Sequence, residues 1–127
     1  MNFDELKANF VAKKQSKNTV GYCLNSVSEY LDIPIGSIVS KSRKSPLVIA
    51  RMYFFFTSRY IIDSNLNDSY AYLGSLLNKD HSTVINSINK FKDLYLTDKN
   101  FAKEYQTFIS GVYGLDGFNK LNNLKIN

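Results

Sequence analysis

Apolar residues recur along the chain every three or four positions, and this spacing predicts a succession of amphipathic helices. Short polar or proline-containing segments lie between them. We predict helices over these ranges: Asp4–Lys14, Asn18 or Thr19 to Leu31, Ile35–Val39, Leu47–Ile62, Tyr70–Leu77, Asp80–Leu94 and Asn100–Val112. No repeat, linker or low-complexity tract divides the chain, so we expect one compact multi-helix domain of the all-α class over residues 1–127.

The helix predicted over Leu47–Ile62 is apolar around most of its circumference, which is typical of a central helix surrounded by others. Pro46 fits its first turn, where the missing N–H would be unpaired in any case. A β-strand over Met52–Phe56 is an alternative, because aromatic residues favour strands. The run lacks alternation of period two, so we favour a helix. Consecutive aromatics on a helix point in different directions, which favours a core over a base-stacking platform.

Other features of the sequence exclude several protein classes. No stretch approaches the roughly 20 apolar residues of a membrane span, and Met1–Phe10 lacks a signal-peptide pattern, so we expect a cytoplasmic protein. Cys23 is the single cysteine and His81 the single histidine, so we expect no internal disulfide, no metal site and no cofactor. Cys23 is expected to be a small buried hydrophobe. The glycine- and asparagine-rich segment Gly114–Asn127 is expected to be a loosely ordered tail.

The helices Tyr70–Leu77 and Asp80–Leu94 are joined by only two residues, and this arrangement predicts a helix-turn-helix. Ser69 can cap the first helix, and Asn78 in the turn tolerates a left-handed backbone. The positions of the first helix expected to face the core are Leu73, Leu76 and Leu77. In the second helix the expected core positions are Val84, Ile88 and Phe91, with Ile85 at the margin. Its outward face is predicted to carry Ser82, Asn86, Asn89 and Lys90, with Thr83 at the edge.

That outward face is short and polar and has no carboxylate. A helix with small hydrogen-bonding side chains can enter a major groove and contact base edges. A merely solvated helix more often carries Glu and Lys four residues apart. The net charge of +5 lies entirely within Ser40–Lys92, where eight basic residues face three acidic ones. Such a surplus indicates a surface for a polyanion, although lysines that only solubilise the protein would give the same total.

Two groups of residues carry a resemblance to a known family. Leu73-Gly74 followed by Asp80-His81-Ser82-Thr83-Val84 resembles the signature of the C-terminal DNA-binding domain of the bacterial replication initiator DnaA. In that family an Asp-His-(Thr/Ser)-Thr-Val motif opens the recognition helix. Ser40–Lys44 resembles the basic loop of the family, and Arg51 lies where the family has an arginine in the following helix. The resemblance covers about Val20–Val112 and implies a TrpR/DnaA-C-like fold, here as a stand-alone domain.

The resemblance also implies how these residues would bind double-stranded DNA. Arg43 is expected in the minor groove, where narrow A/T-rich sequence concentrates negative potential. The major-groove residues are expected to be Asp80, His81 and Ser82, with Thr83 on base edges or phosphate. The residues expected to hold phosphates are Lys41, Lys44, Arg51 and Lys79. Two positions of the outward face complete the predicted interface: Asn86 and Lys90.

Three of these residues have a second interpretation. Arg51 lies in an aromatic helix and could equally pair with a buried carboxylate. His81 falls nearer the apolar edge of its helix than Ser82, which leaves room for a partly packed imidazole. Asp80 can accept a hydrogen bond from a cytosine amino group, and it can also cap the helix.

The sequence departs from the family pattern in several places. The turn before Asp80 is one residue shorter than usual, and the loop Asp63–Asp68 is a few residues longer. Tyr70-Ala71 replaces the usual Leu-Pro, and Met52 replaces the usual glutamine. The base preference of the family is therefore not carried over. The phosphate-binding pattern Gly-x-x-x-x-Gly-Lys-(Ser/Thr) is absent from the sequence, so we expect no nucleotide binding and no ATPase activity.

The leading functional hypothesis is a sequence-preferring duplex-DNA binder that regulates replication or transcription, associates with the nucleoid and is not an enzyme. One alternative is a protein adaptor that kept the scaffold but lost DNA readout, with exposed aromatics of the C-terminal helix, such as Tyr105, or of the N-terminal arm at its interface. Another is a small nuclease, which would need clustered carboxylates where the basic segment has only scattered ones. One recognition helix suggests an asymmetric half-site bound by a monomer, whereas the N-terminal helix could mediate dimers.

Overall fold

The computed structural model describes residues 17–62 and 69–126, which form six helices and contain no strand. The helices are α1 (Val20–Leu31), α2 (Ile35–Ile38), α3 (Ser45–Tyr60), α4 (Tyr70–Leu76), α5 (His81–Thr97) and α6 (Lys99–Asn123). The predicted all-α class is confirmed for this part of the chain. The helix predicted over Asp4–Lys14 and the polar loop Asp63–Asp68 lie outside the described residues.

Helix α1 begins and ends where the sequence predicts. Thr19 is its cap, because the Thr19 hydroxyl oxygen accepts a hydrogen bond from the Tyr22 N–H at 3.1 Å. The helix ends at Asp32, which adopts a left-handed conformation with φ of 54°. Pro34 then starts the single turn of α2. This short connection brings α2 against α3, close to the basic loop that follows.

Helix α3 is the centre of the fold, as its all-round apolar pattern predicts. Every residue from Ala50 to Ser58 is buried, and the aromatic run Tyr53–Phe56 is at most 1 % exposed. The helix contacts α1, α2 and α5. The Phe56 ring stacks on Phe91 of α5 with 4.0 Å between ring centroids. The position of α5 is therefore fixed by aromatic packing on α3.

The C-terminal segment differs from the prediction of a loosely ordered tail. Helix α6 continues to Asn123 and bends at Gly114, which has φ of 67° and ψ of −157°. After the bend Leu121 is buried, and the Lys120 ammonium donates to the Ile61 carbonyl at 3.4 Å. The tail prediction was wrong because it weighed composition and overlooked the apolar positions Phe118, Leu121 and Leu124, which recur every third residue.

Two side chains in the core settle predictions about exposure. Tyr105 is fully buried, and its hydroxyl lies 2.7 Å from the Thr57 hydroxyl. The suggestion that Tyr105 is an exposed interface residue was therefore wrong. Cys23 is fully buried, as predicted, and burial raises the pKa of its thiol to about 12.

Candidate nucleic-acid interface

Helices α4 and α5 form the predicted helix-turn-helix, and a tight turn joins them. The Ser69 hydroxyl caps α4 by accepting from the Tyr72 N–H at 3.1 Å. Asn78 adopts the left-handed conformation expected of it, with φ of 58°. The Lys79 N–H donates to the Gly74 carbonyl at 2.8 Å, which pulls the turn back onto α4.

At Gly74 helix α4 lies very close to the turn and to the start of α5. A Cβ atom placed on Gly74 would lie 2.5 Å from the Lys79 carbonyl oxygen and 3.1 Å from that of Asp80. It would also lie 3.0 Å from a methyl carbon of Val84. Glycine is therefore required for this geometry, and the sequence alone shows it only through the Leu-Gly pair of the motif.

The buried face of α5 is the one predicted. Val84, Ile88 and Phe91 are buried, and Ile85 is half-buried at the margin. The helix runs to Thr97, three residues beyond the predicted end at Leu94. It contacts α3 and α4 on one side and α6 towards its end. The opposite face of its first three turns is thereby left for solvent or a ligand.

That opposite face presents the predicted polar residues. The exposed residues of Asp80–Lys90 are Asp80, His81, Ser82, Thr83, Asn86, Asn89 and Lys90. His81 is exposed, so the alternative of a packed imidazole is not what the structure shows. From His81 to Lys90 the helix has no carboxylate. A phosphate-lined groove could accept this face without like-charge repulsion along its length.

Asp80 caps α5, as predicted for one of its two roles. Its Oδ1 atom accepts a hydrogen bond from the Thr83 N–H at 2.8 Å. This backbone hydrogen bond is the largest cause of a lowered pKa of the Asp80 carboxyl. The ionised form therefore stabilises the start of α5, next to His81 and Ser82.

We expect Asp80→Ala to lower the thermal midpoint at neutral pH and to have a smaller effect in acid. Because the folded-state pKa of Asp80 is depressed, its contribution is present above the unfolded pKa and is lost as pH falls through the folded value. Circular dichroism melts between pH 7 and pH 2 measure this, with Asp93→Ala, an exposed aspartate in the same helix, as the control. An equal loss at both ends of the pH range would contradict the cap.

Arg51 differs from both roles predicted for it. Its side chain is 6 % exposed, and its guanidinium donates to backbone carbonyl oxygens of α2 and the basic loop. The distances are 2.7 Å to Ile38, 2.7 Å to Ser42, 2.8 Å to Ser40 and 3.5 Å to Ser37. The prediction of a direct phosphate contact was wrong because these carbonyls occupy the guanidinium. The alternative of a buried carboxylate was wrong too, since its partners are carbonyls.

Lys79 contacts the same loop from the turn between α4 and α5. Its ammonium donates to the Ser40 carbonyl oxygen at 2.7 Å, so this oxygen accepts from both Lys79 and Arg51. Burial, followed by the charges of Arg51 and Lys41, lowers the pKa of the Lys79 ammonium. The basic loop therefore lies against the turn that begins α5. No feature of the sequence indicates this contact between a lysine side chain and a carbonyl oxygen of the loop.

The basic loop itself carries three cations that were predicted to contact DNA. Lys41, Arg43 and Lys44 are all exposed. Their backbone is ordered locally, since the Ser42 N–H donates to the Ser40 hydroxyl oxygen at 3.3 Å and the Lys44 N–H to that of Ser42 at 3.4 Å. The hydrogen bond from Lys79 to the Ser40 carbonyl places this loop beside the N-terminal end of α5. The structure thus brings together a basic loop and a polar helix face that are separated by some forty residues in sequence.

Comparison with known proteins identifies this arrangement. The family model described as the bacterial dnaA protein helix-turn-helix matches residues 22–91, which is more than half of the chain. The chain belongs to this family. The resemblance seen in the sequence is thereby confirmed, and membership in the DnaA helix-turn-helix family indicates a DNA-binding domain rather than a catalytic one.

Curated relatives of the chain carry the name chromosomal replication initiator protein DnaA. That of Flavobacterium psychrophilum is 32 % identical over 96 residues, covering 74 % of this chain and 19 % of the relative. That of Lacticaseibacillus casei is 29 % identical over 101 residues, covering 80 % and 22 %. That of Bdellovibrio bacteriovorus is 22 % identical over 113 residues, covering 87 % and 23 %. The chain thus spans about a fifth of the length of these relatives.

No solved structure matches the chain significantly. Among the helices of residues 17–62 and 69–126, none combines the length and hydropathy needed to cross a membrane.

Proposed function

We propose that the protein binds double-stranded DNA with a sequence preference, and that it does so without hydrolysing ATP. The observation that carries this proposal is the juxtaposition of the exposed face of α5, which has no carboxylate from His81 to Lys90, with the exposed basic loop. A helix face and a flanking basic arm can read a major groove and the adjacent minor groove of one duplex. Regulation of replication or transcription is the cellular role that we propose, at the nucleoid in the cytoplasm.

The recognition helix would enter the major groove by its N-terminal end. His81 and Ser82 are exposed there and can hydrogen-bond to base edges, with Thr83 beside them on a base or a phosphate. Asp80 caps the helix through Oδ1 and is exposed, so its carboxylate would also accept from a cytosine amino group. Further along the face, Asn86 and Lys90 would contact bases or backbone.

The basic loop would lie along the neighbouring minor groove. Arg43 is its exposed arginine, and an arginine is favoured in a narrow A/T-rich minor groove because the negative potential is concentrated there. Lys41 and Lys44 are exposed on either side of Arg43 and would contact phosphates. Arg51 holds the backbone of this loop through hydrogen bonds to the Ser42 and Ser40 carbonyl oxygens and would not contact DNA itself.

Fluorescence anisotropy with a labelled duplex over a salt series tests this function. The proposal places four exposed cations on the DNA: Lys41, Arg43, Lys44 and Lys90. If each displaces counterions from the phosphate backbone, the slope of log affinity against log salt concentration should be about −3.6, from about −0.9 for each contact. Ser82→Ala with His81→Ala should weaken binding while the slope stays the same, because both residues are proposed to contact base edges and not phosphates. Absence of binding to any duplex at low salt would overturn the proposal and favour a protein partner for the same surface.

A further inference from the structure

The Ser40 carbonyl oxygen is a junction between three parts of the fold. It accepts from Arg51 of the central helix at 2.8 Å and from Lys79 of the helix-turn-helix turn at 2.7 Å. The Ser40 hydroxyl donates to the Ser37 carbonyl at 2.6 Å and accepts from the Ser42 N–H at 3.3 Å. The start of the basic loop is thereby tied to α2, to α3 and to the turn before α5.

Two of these ties differ in what they connect. Arg51 bonds the loop to a helix that packs in the core, so it sets the shape of the loop. Lys79 bonds the loop to the turn of the helix-turn-helix, because Lys79 itself directly precedes Asp80, the cap of α5. The second tie is the direct one between the loop and the helix that are proposed to read DNA, whereas the first acts through the packing of α3 on α5.

We infer that Lys79 is a positioning residue, which holds the loop carrying Arg43 at a set offset from the recognition helix through the Ser40 carbonyl. This inference rests on the proposed function, since the offset matters only if both elements read one duplex. It assigns Lys79 a role inside the protein in place of the phosphate contact expected from the sequence.

A fixed offset would affect both the affinity and the choice of site. A loop that is already in place before binding does not lose conformational freedom on the DNA, so its contacts contribute more to affinity. A fixed offset also allows only one spacing between the minor-groove and major-groove positions of a site. A loop released from the turn would accept several spacings.

The first test needs no DNA. Amide hydrogen exchange of wild type and Lys79→Met should show faster exchange at Ser42 and Lys44 in the variant, because their N–H groups donate to side chains within the loop. Lys90→Met removes an equal charge from an exposed position of α5 and should leave these amides unchanged. Unchanged exchange in Lys79→Met would overturn the inference whether or not the protein binds DNA.

The second test is a double-mutant cycle with Arg43→Ala on one labelled duplex. If Lys79 acts through the loop, Lys79→Met should weaken binding about tenfold in the wild-type background and less than about twofold with Arg43→Ala, as expected for one charge-assisted hydrogen bond. Its salt slope should match that of wild type. Lys90→Met should instead act equally in both backgrounds.

Equal losses for Lys79→Met in both backgrounds, with a salt slope smaller by about one, would identify a phosphate contact and overturn the positioning role. If wild type binds no duplex while the exchange test succeeds, the tie between loop and turn exists and the proposed function is what fails. The two failures are therefore distinguishable.

Discussion

Gly74→Ala is expected to lower the free energy of unfolding by about 2 kcal/mol, within the usual cost of forcing an extra carbon into a packed site. The new Cβ would lie 2.5 Å from the Lys79 carbonyl oxygen, and a backbone atom cannot move aside as the end of a side chain can. The turn must therefore shift, and it carries both the Asp80 cap and the Lys79 tie to the basic loop. DNA affinity should fall by more than the loss of folded protein explains.

Urea denaturation and duplex binding measure the two effects of this change. Gly21→Ala is the matched control, because Gly21 lies in α1 and a Cβ there would meet no atom within 4 Å. Alanine favours a helix over glycine, so this control should leave stability unchanged or raise it by up to about 1 kcal/mol. Equal stability changes in the two variants would show that the close approach at Gly74 does not constrain the turn.

Arg51→Met should destabilise the protein by about 3 kcal/mol, because it removes the donor to the Ile38 and Ser42 carbonyl oxygens and leaves that of Ser40 with Lys79 alone. The volume of the side chain is nearly kept, so the effect reports the hydrogen bonds to Ile38, Ser40 and Ser42. Arg43→Met makes the same chemical change at an exposed position of the loop. That control should keep the unfolding free energy within about 0.5 kcal/mol, as is usual for surface substitutions.

The two arginines should therefore give opposite patterns. Arg51→Met should shift the urea midpoint strongly, whereas Arg43→Met should leave the midpoint in place and weaken duplex binding. If Arg51→Met instead keeps the midpoint and loses affinity with a reduced salt slope, Arg51 contacts phosphate and the present account of the loop is wrong.

The helices and the helix-turn-helix could be predicted from the sequence because local rules decide them. Thr19, Ser69 and Asp80 each cap a helix by accepting from the N–H three residues later. The three-to-four spacing of Val84, Ile88 and Phe91 fixed the buried face of α5, and therefore the exposed one. The candidate site followed from that face, together with a motif that resembles a known family.

The errors arose where long-range contacts decide the structure. Arg51 has partners on α2 and the basic loop that are main-chain oxygens, and a sequence pattern does not show where carbonyls point. Tyr105 is buried because it meets Thr57 of α3, 48 residues away in sequence. The last part of α6 is helical because the Leu121 side chain is buried in the core, although the glycines of this segment disfavour a helix locally.

Selection of bound duplexes from a randomised library, with wild type beside the Arg43→Ala, His81→Ala variant, shows whether the basic loop and α5 read a DNA sequence together. We expect wild type to enrich one asymmetric motif that contains a short A/T-rich segment at a fixed distance from a second group of preferred bases. The variant lacks the residue proposed for the minor groove and one proposed for the major groove, so it should lose that motif. It should still bind duplexes without sequence preference through its remaining cations. Recovery of no motif with wild type, or of the same motif with both proteins, would contradict readout by the basic loop and the recognition helix.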